Sequence, residues 1–272
     1  MIRQSGSWLE QCKPFLAGGG RIEAIDDGAR LILPSAVASR YADAQLDDYA
    51  GLRHAGLRRR DFPHRPPVSL LLRARFSHDN RPSRPPDFQP SLIGTAGFGF
   101  WNNPFGAQSR IPAPPRALWF FYASPPSDMA LALGVPGFGW KAASIDASRP
   151  SALALAPFAP IVMLLCRRPR LYRALWHRVQ RTLGISECRL PHAMTDWHVY
   201  ELEWRRDGAR WRIDGETAQE TDRAPRGPLG FVAWIDNQYA VVTPRGKLGS
   251  GLLDAPFEQW LEIAHVELRN EA

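Results

Sequence analysis

Apolar and polar residues alternate with a period of two in several short runs, which is the pattern of half-buried β-strands. Val68 to Phe76 (VSLLLRARF), Thr95 to Asn102 (TAGFGFWN), Trp197 to Trp204 (WHVYELEW), Ala209 to Ile213 (ARWRI) and Trp260 to Leu268 (WLEIAHVEL) each predict a strand. Ala117 to Ala123 (ALWFFYA) is continuously apolar and reads as a strand buried on both faces. Trp140 to Ile145 is a further strand candidate, and Leu229 to Val242 (LGFVAWIDNQYAVV) reads as one long strand with a polar interruption. Asp26-Asp27-Gly28 between Arg21–Ile25 and Ala29–Leu33, and the Asp-Gly pairs at 207–208 and 214–215, are hairpin signals. Proline-rich loops stand at 80–90 and 111–116.

The pattern changes at 151–183. Residues 151–165 are apolar and interrupted by two prolines. Residues 167–183 then predict a helix, with Pro169 in its first turn and Gly184 just past its end. Leu171, Leu175, Val179 and Leu183 line one side of it, and Arg170, Arg173, His177 and Arg181 much of the other. Many short strands, frequent turns and one helical insertion predict an all-β sandwich, with residues 1–272 as a single domain. The insertion is either a lid over one end of the sandwich or an interfacial element lying on an anionic membrane through 167–183.

Composition narrows this picture. At 272 residues, with 44% hydrophobic and 22% charged positions, the chain suits one large β domain and excludes collagen, coiled coil and extended disorder. The 25 prolines and 22 glycines fit short elements joined by turns. The net charge is +7, and only Lys13, Lys141 and Lys247 of the 34 basic residues are lysines. No nucleic-acid motif accompanies this charge, so the expectation is no nucleic-acid partner. Cys12, Cys166 and Cys188 lie far apart, without zinc or disulfide spacing, which fits a reducing compartment. The first residues lack the apolar run of a signal peptide, and no apolar stretch reaches the length of a spanning helix. The expected location is therefore cytoplasmic, with a membrane-peripheral option. No nucleotide loop or His/Cys cluster is present, so neither cofactor nor metal is expected.

Trp197-His198-x-Tyr200-x-x-x-Trp204, followed by Trp211-x-Ile213-Asp214-Gly215, resembles the concanavalin A-like lectin/glucanase superfamily. Within it, the chain is similar to glycoside hydrolase family 16. The terminal Trp260-Leu261-Glu262-Ile263-x-x-Val266-Glu267-Leu268 and the Gly99-Phe100-Trp101 segment before the expected catalytic strand add to the resemblance. It implies a single jelly-roll domain of two curved antiparallel sheets with a glycan on the concave face, and retaining hydrolysis by glutamates of a Glu-x-Asp-x-(x)-Glu strand. The corresponding strand here, Ala117 to Ala123, holds no carboxylate, and Glu220-Thr221-Asp222 lacks the third acid. The expectation is a carbohydrate-active or glycan-binding protein without that hydrolysis. The alternative is an acid–base enzyme, isomerase- or cyclase-like, acting on an apolar small molecule in the sandwich pocket.

Candidate residues follow from the alternation. Tyr41, Asp43, Gln45, Asp47 and Tyr49 share one face of their segment, where aromatic, amide and carboxylate groups could hold hydroxyls, or simply form a solvated face with Asp48 capping the next turn. Trp234, Asp236 and Gln238 share a face with Asn237 between them. Such polar groups in an apolar run either line a pocket or form a structural hydrogen-bond knot. Asp47, Asp48 and Asp236 are the candidate acids and bases. Tyr41, Gln45, Trp101, Asn102, Trp119, Tyr122, Trp234, Asn237 and Gln238 are the candidate ligand contacts, with core packing as the other role for Trp119 and Tyr122 and turn chemistry for Asn102.

Overall fold

A computed structural model describes residues 11–49, 62–81, 90–104 and 113–270. His54 and residues 82–89 and 111–112 of the two proline-rich loops lie outside the described residues. The elements run β1 (Lys13–Ala17), β2 (Arg21–Ile25), β3 (Gly28–Leu33), β4 (Asp43–Asp47), β5 (Val68–Phe76), β6 (Thr95–Trp101), β7 (Arg116–Ala123) and β8 (Gly139–Asp146). Three helices follow, α1 (Pro150–Leu155), α2 (Ala159–Cys166) and α3 (Pro169–Thr182). The chain then returns to β9 (Ser186–Arg189), β10 (His198–Trp204), β11 (Ala209–Ile213), β12 (Glu216–Thr221), β13 (Gly230–Asp236), β14 (Gln238–Val242), β15 (Leu248–Leu252) and β16 (Gln259–Asn270).

The strands form two seven-stranded antiparallel sheets, a jelly-roll β-sandwich. The first has the order β1-β4-β13-β6-β7-β8-β9 and the second β12-β11-β10-β5-β16-β3-β2. Neighbours such as β4 with β13 and β5 with β16 are remote in sequence, so the chain passes back and forth between sheets. Alternation decides what lies between them. From the first sheet come Ala96, Phe98 and Phe100, Leu118, Phe120 and Tyr122, and Phe231, Ala233 and Ile235. Facing them from the second are Leu70, Leu72, Tyr200, Leu202, Trp204, Trp211, Ile213, Leu261 and Ile263. The sheets interlock through ring contacts: Phe98 and Phe120 meet Tyr200 edge-on at 5.0 and 4.9 Å, and Phe100 lies 5.5 Å from Trp204. Such pairs add about 0.5–1.5 kcal/mol each beyond area burial. Two of the buried indoles keep a polar partner, with Trp204 Nε1 donating to the Pro225 carbonyl and Trp211 Nε1 to that of Trp119.

The Asp-Gly signal at 214–215 behaves as turn chemistry requires. Asp214 (φ 51°) and Gly215 (φ 82°) form the two-residue link between β11 and β12, pinned by His198 Nδ1 at 2.6 Å from Asp214 Oδ2. The expected single strand from Leu229 to Val242 is corrected: it breaks at Asn237. The Asn237 side chain accepts from the Ala42 N–H and donates to the carbonyls of Arg40 and Leu253, pulling the backbone out of the first sheet. Beyond it β14 pairs with β15 as a separate hairpin, with one further bridge from Val241 to Asp128.

Gly99 is a position where bulk cannot be added. A Cβ there would meet the Leu118 carbonyl oxygen at 2.4 Å and the Trp119 Cβ at 2.8 Å, and the backbone φ of +146° disfavours L-residues. Gly99→Ala is expected to destabilise the fold by about 1–3 kcal/mol in denaturant titration. Gly249→Ala, whose Cβ would first meet Val241 at 3.9 Å, is expected to change stability by less than about 0.5 kcal/mol. Equal midpoints for the two variants would contradict this packing.

Candidate functional site

The face of the first sheet turned away from the sandwich core carries the other half of each alternation. On β6 these positions are Thr95, Gly97, Gly99 and Trp101; on β7, Ala117, Trp119, Phe121 and Ala123; on β13, Val232, Trp234 and Asp236; on β4, Asp43, Gln45 and Asp47. Registry places Gly97 between Trp234 and Phe121, and Gly99 between Val232 and Trp119. With no side chains on β6 there, the rings of both neighbours lean together above it. Trp101 and Trp119 are 6.0 Å apart, Trp119 and Trp234 5.6 Å, and Trp101 and Trp234 6.3 Å with planes only 6° from parallel. Phe121 joins at 5.2 Å from Trp119. Trp234 is buried, whereas Trp101 and Trp119 are half-buried and keep part of their rings open.

Polar groups edge this aromatic cluster. Gln45 Nε2 donates to Asp47 Oδ2 at 2.5 Å, and the Tyr49 N–H donates to Asp47 Oδ1 at 3.2 Å. Trp101 Nε1 donates to the Tyr49 hydroxyl, tying the open ring to that buried set. At the other end Trp234 Nε1 donates to Thr95 Oγ1 at 2.9 Å, and Thr95 Oγ1 donates onward to Asp236 Oδ1 at 2.8 Å. The Gln238 N–H also donates to that oxygen, at 3.0 Å. Burial pushes the Asp236 carboxyl up to about 6, against the opposing pull of these hydrogen bonds. Lys141 and Glu187 continue the face toward the β8–β9 edge, 3.6 Å apart and both buried. Burial lowers the lysine pKa and raises that of the glutamate, each offset by the other's charge.

Of the residues singled out from sequence, Gln45, Asp47, Trp101, Trp119 and Trp234 come together here, with Asp236 at one end. Asp47 and Asp236 are not neighbours: Asp47 pairs in register with Val232, and Asp43 is the partner of Asp236. Four residues of strand, roughly 13 Å, separate the two acids along β13. Asp48 lies off this face, bound to His64 Nε2 and accepting the Phe231 N–H at 2.9 Å. Tyr122 points the opposite way, into the sandwich core, with its hydroxyl donating to the Leu92 carbonyl. Asn102 ties the β6 and β7 ends, donating to the Pro114 carbonyl and accepting the Arg116 N–H. Asn237 is the knot described above. Gln238 falls on β14, exposed, rather than beside Trp234 and Asp236, because the break at Asn237 resets the alternation. Tyr41 precedes β4 and is half-buried.

Thr95, Phe121 and His64 belong to these clusters and were not among the candidates, and Asp43 was grouped with Gln45 and Asp47 on one face but not named as an acid or a ligand contact. Asp43 and Phe121 sit on the right alternation. The Thr95 and His64 roles depend on partners far away in sequence. Among the described residues no three His, Cys, Asp or Glu side chains gather into a metal-binding group.

No protein-family model matches the chain, and no curated protein matches it. Among solved structures, a glycoside hydrolase family 16 endo-glucanase from Bacteroides ovatus covers 92% of this chain and 85% of its own, at 10% identity and a TM-score of 0.47. The carbohydrate recognition domain of Emp46p covers 100% and 94%, at 10% identity and a TM-score of 0.46. A pseudo β-1,3-glucanase and immunostimulatory antigen of Mycobacterium tuberculosis covers 90% and 75%, at 9% identity and a TM-score of 0.45. The jelly-roll assignment rests on the strand order above and stands without these likenesses.

The Asp236 environment sets a pH dependence. The folded chain holds this proton up to about pH 6, whereas the unfolded chain releases it near 3.8. Stability from this group is therefore present below pH 4 and lost as pH rises to 6, on the order of 2–3 kcal/mol. Urea titrations of Asp236→Asn should lack this loss between pH 4 and 6.5. A variant that follows the unaltered chain across that range would rule out the assignment.

Proposed function

We propose that the protein binds a glycan on the outer face of the first sheet and does not hydrolyse it by the retaining mechanism. The observation that carries this reading is the Trp101–Trp119–Trp234 cluster, two of whose rings stay partly open beside a buried amide and carboxylate. The C–H face of a pyranose matches a flat indole, and the polar edge of the ring then meets hydrogen-bonding groups.

Distances and exposure support the part of this reading that leaves out hydrolysis. Retaining glycosidases hold two carboxyl groups about 5–5.5 Å apart, and inverting ones about 6.5–9.5 Å. The outer positions of β7 here are Ala117, Trp119, Phe121 and Ala123. Asp47 and Asp236 stand too far apart for either scheme. Asp43 and Asp236 are cross-strand partners but only 1% and 5% exposed, without the solvent access a hydrolytic water requires.

A second reading draws on one observation, the raised pKa of Asp236 next to Trp234. It makes Asp236 an acid that keeps its proton into the weakly acidic range and serves an apolar molecule seated on the same aromatic face. Asp236→Asn preserves shape and removes that proton, so turnover of such a molecule would fall while glycan binding would stay.

The first reading is tested by calorimetric titration against a panel of α- and β-linked hexasaccharides. Trp119→Ala is expected to weaken the best ligand at least tenfold while circular dichroism stays unchanged. The same ligands should release no reducing ends over a day. Undiminished affinity in Trp119→Ala, or glycan cleavage that Asp47→Asn abolishes, would overturn the proposal.

A further inference from the structure

The insertion between β8 and β9 has two faces of different character. Its inner side is fixed to the sandwich. Cys166, Trp176 and Val179 are buried, with Leu133, Leu155 and Val162 partly buried against them. Trp176 Nε1 donates to the Leu131 carbonyl at 2.6 Å, and Gln180 Oε1 accepts the Leu133 N–H at 3.0 Å. Its outer side is apolar and bare: Leu153, Phe158, Ile161, Leu164, Leu165 and Leu171 are between 39% and 60% exposed. Ile161, Leu164 and Leu165 follow i, i+3, i+4 spacing, so they form one stripe of α2, opposite the inward Val162 and Cys166. Soluble surfaces seldom leave so many large aliphatic side chains contiguous and open.

The charge around that stripe has one sign. Residues 147–186 contain seven arginines and no Asp or Glu. Arg167, Arg168, Arg170, Arg173, Arg178 and Arg181 are exposed, and none of them forms a salt bridge among the described residues. The carboxylates that flank the segment are taken up inside: Asp146 pairs with Arg149, and Glu187 with Lys141. The β14–β15 turn adds to the patch. Arg245 lies 5.5 Å over the Tyr172 ring, Gly246 abuts Met163, and Lys247 and Leu248 are exposed beside them.

We propose that α1–α3, with the β14–β15 turn, form a docking face for an anionic lipid bilayer. An aliphatic stripe bordered by unpaired arginines is complementary to acyl chains beneath a layer of anionic headgroups. No described helix is long and apolar enough to cross a membrane. An acidic protein would match the arginines but leave the stripe without a partner. A second copy of the chain would bring arginine against arginine. This inference is independent of the glycan reading.

The test is co-sedimentation of the full chain with vesicles of 30 mol% phosphatidylglycerol in phosphatidylcholine, and with pure phosphatidylcholine. The expected result is binding to the first that weakens as salt rises from 50 to 300 mM, and binding to the second at least tenfold weaker. Ile161→Glu/Leu164→Glu should abolish partitioning to both. Arg167→Gln/Arg168→Gln/Arg170→Gln should lose at least tenfold on anionic vesicles only and flatten the salt dependence. All substituted side chains are exposed, and thermal melts verify that each variant folds. Partitioning that is equal for the unaltered chain and both variants would overturn the proposal. So would no binding by the unaltered chain, or a dimer in light scattering that Ile161→Glu/Leu164→Glu dissolves without any vesicle binding.

Discussion

The arrangement turns on one strand with nothing on one side. β6 shows the sandwich core Ala96, Phe98 and Phe100, and shows the outside Gly97 and Gly99. Those two missing side chains decide where three indoles go. Registry sets Trp234 and Phe121 against Gly97, and Trp119 against Gly99, so rings from both sides occupy the vacated space. A larger residue at either glycine would hold β13 and β7 aromatics apart, and the outer face would be a row of separate side chains. The same strand serves two layers because successive residues point to opposite faces.

Electrostatics on that face serve cohesion. Every candidate acid that the sequence suggests is engaged: Asp47 with Gln45 and the Tyr49 backbone, Asp236 with Thr95 and the Gln238 backbone, Asp48 with His64 and the Phe231 backbone. Buried carboxylates without such bonds would cost several kcal/mol. The bonds of Asp236 to Thr95 and of Asp48 to the Phe231 N–H join segments remote in sequence and so help to fix which strand lies beside which, whereas those of Asp47 to Gln45 and Tyr49 and of Asp236 to Gln238 are local. What they leave for a ligand is the half-open surface of Trp101 and Trp119. The insertion contrasts with this economy, since its exposed arginines and leucines satisfy nothing within the fold.

Much of the architecture is legible in the chain. Period-two runs locate β5, β6, β10 and β11, and a continuous apolar run locates β7, almost residue for residue, because these strands build the two-layer core. The Asp-Gly turn at 214–215 shows in the sequence since positive φ at both positions admits few residues. Short, largely exposed strands such as β1 and β12 leave no such pattern. The break at Asn237 escapes because its partners, Arg40, Ala42 and Leu253, are set by tertiary packing. For the site, alternation correctly groups Gln45 with Asp47, but register between distant strands is not a local property. That is why Asp43, rather than Asp47 or Asp48, stands opposite Asp236. Alternation also puts Tyr122 in the core, since it shares parity with Phe120 rather than with Trp119.

The central claim is that the open indoles of the outer face are where a sugar sits. Indole N–H resonances report this directly in a chain with ten tryptophans. With 15N-labelled tryptophan and assignment by substitution, adding the tightest-binding oligosaccharide should shift the Trp101 and Trp119 signals in proportion to occupancy. Core indoles such as Trp204 and Trp211 should stay in place. Saturating glycan that leaves Trp101 and Trp119 unmoved, or that moves Trp197 and Trp260 on the opposite sheet instead, would contradict the account.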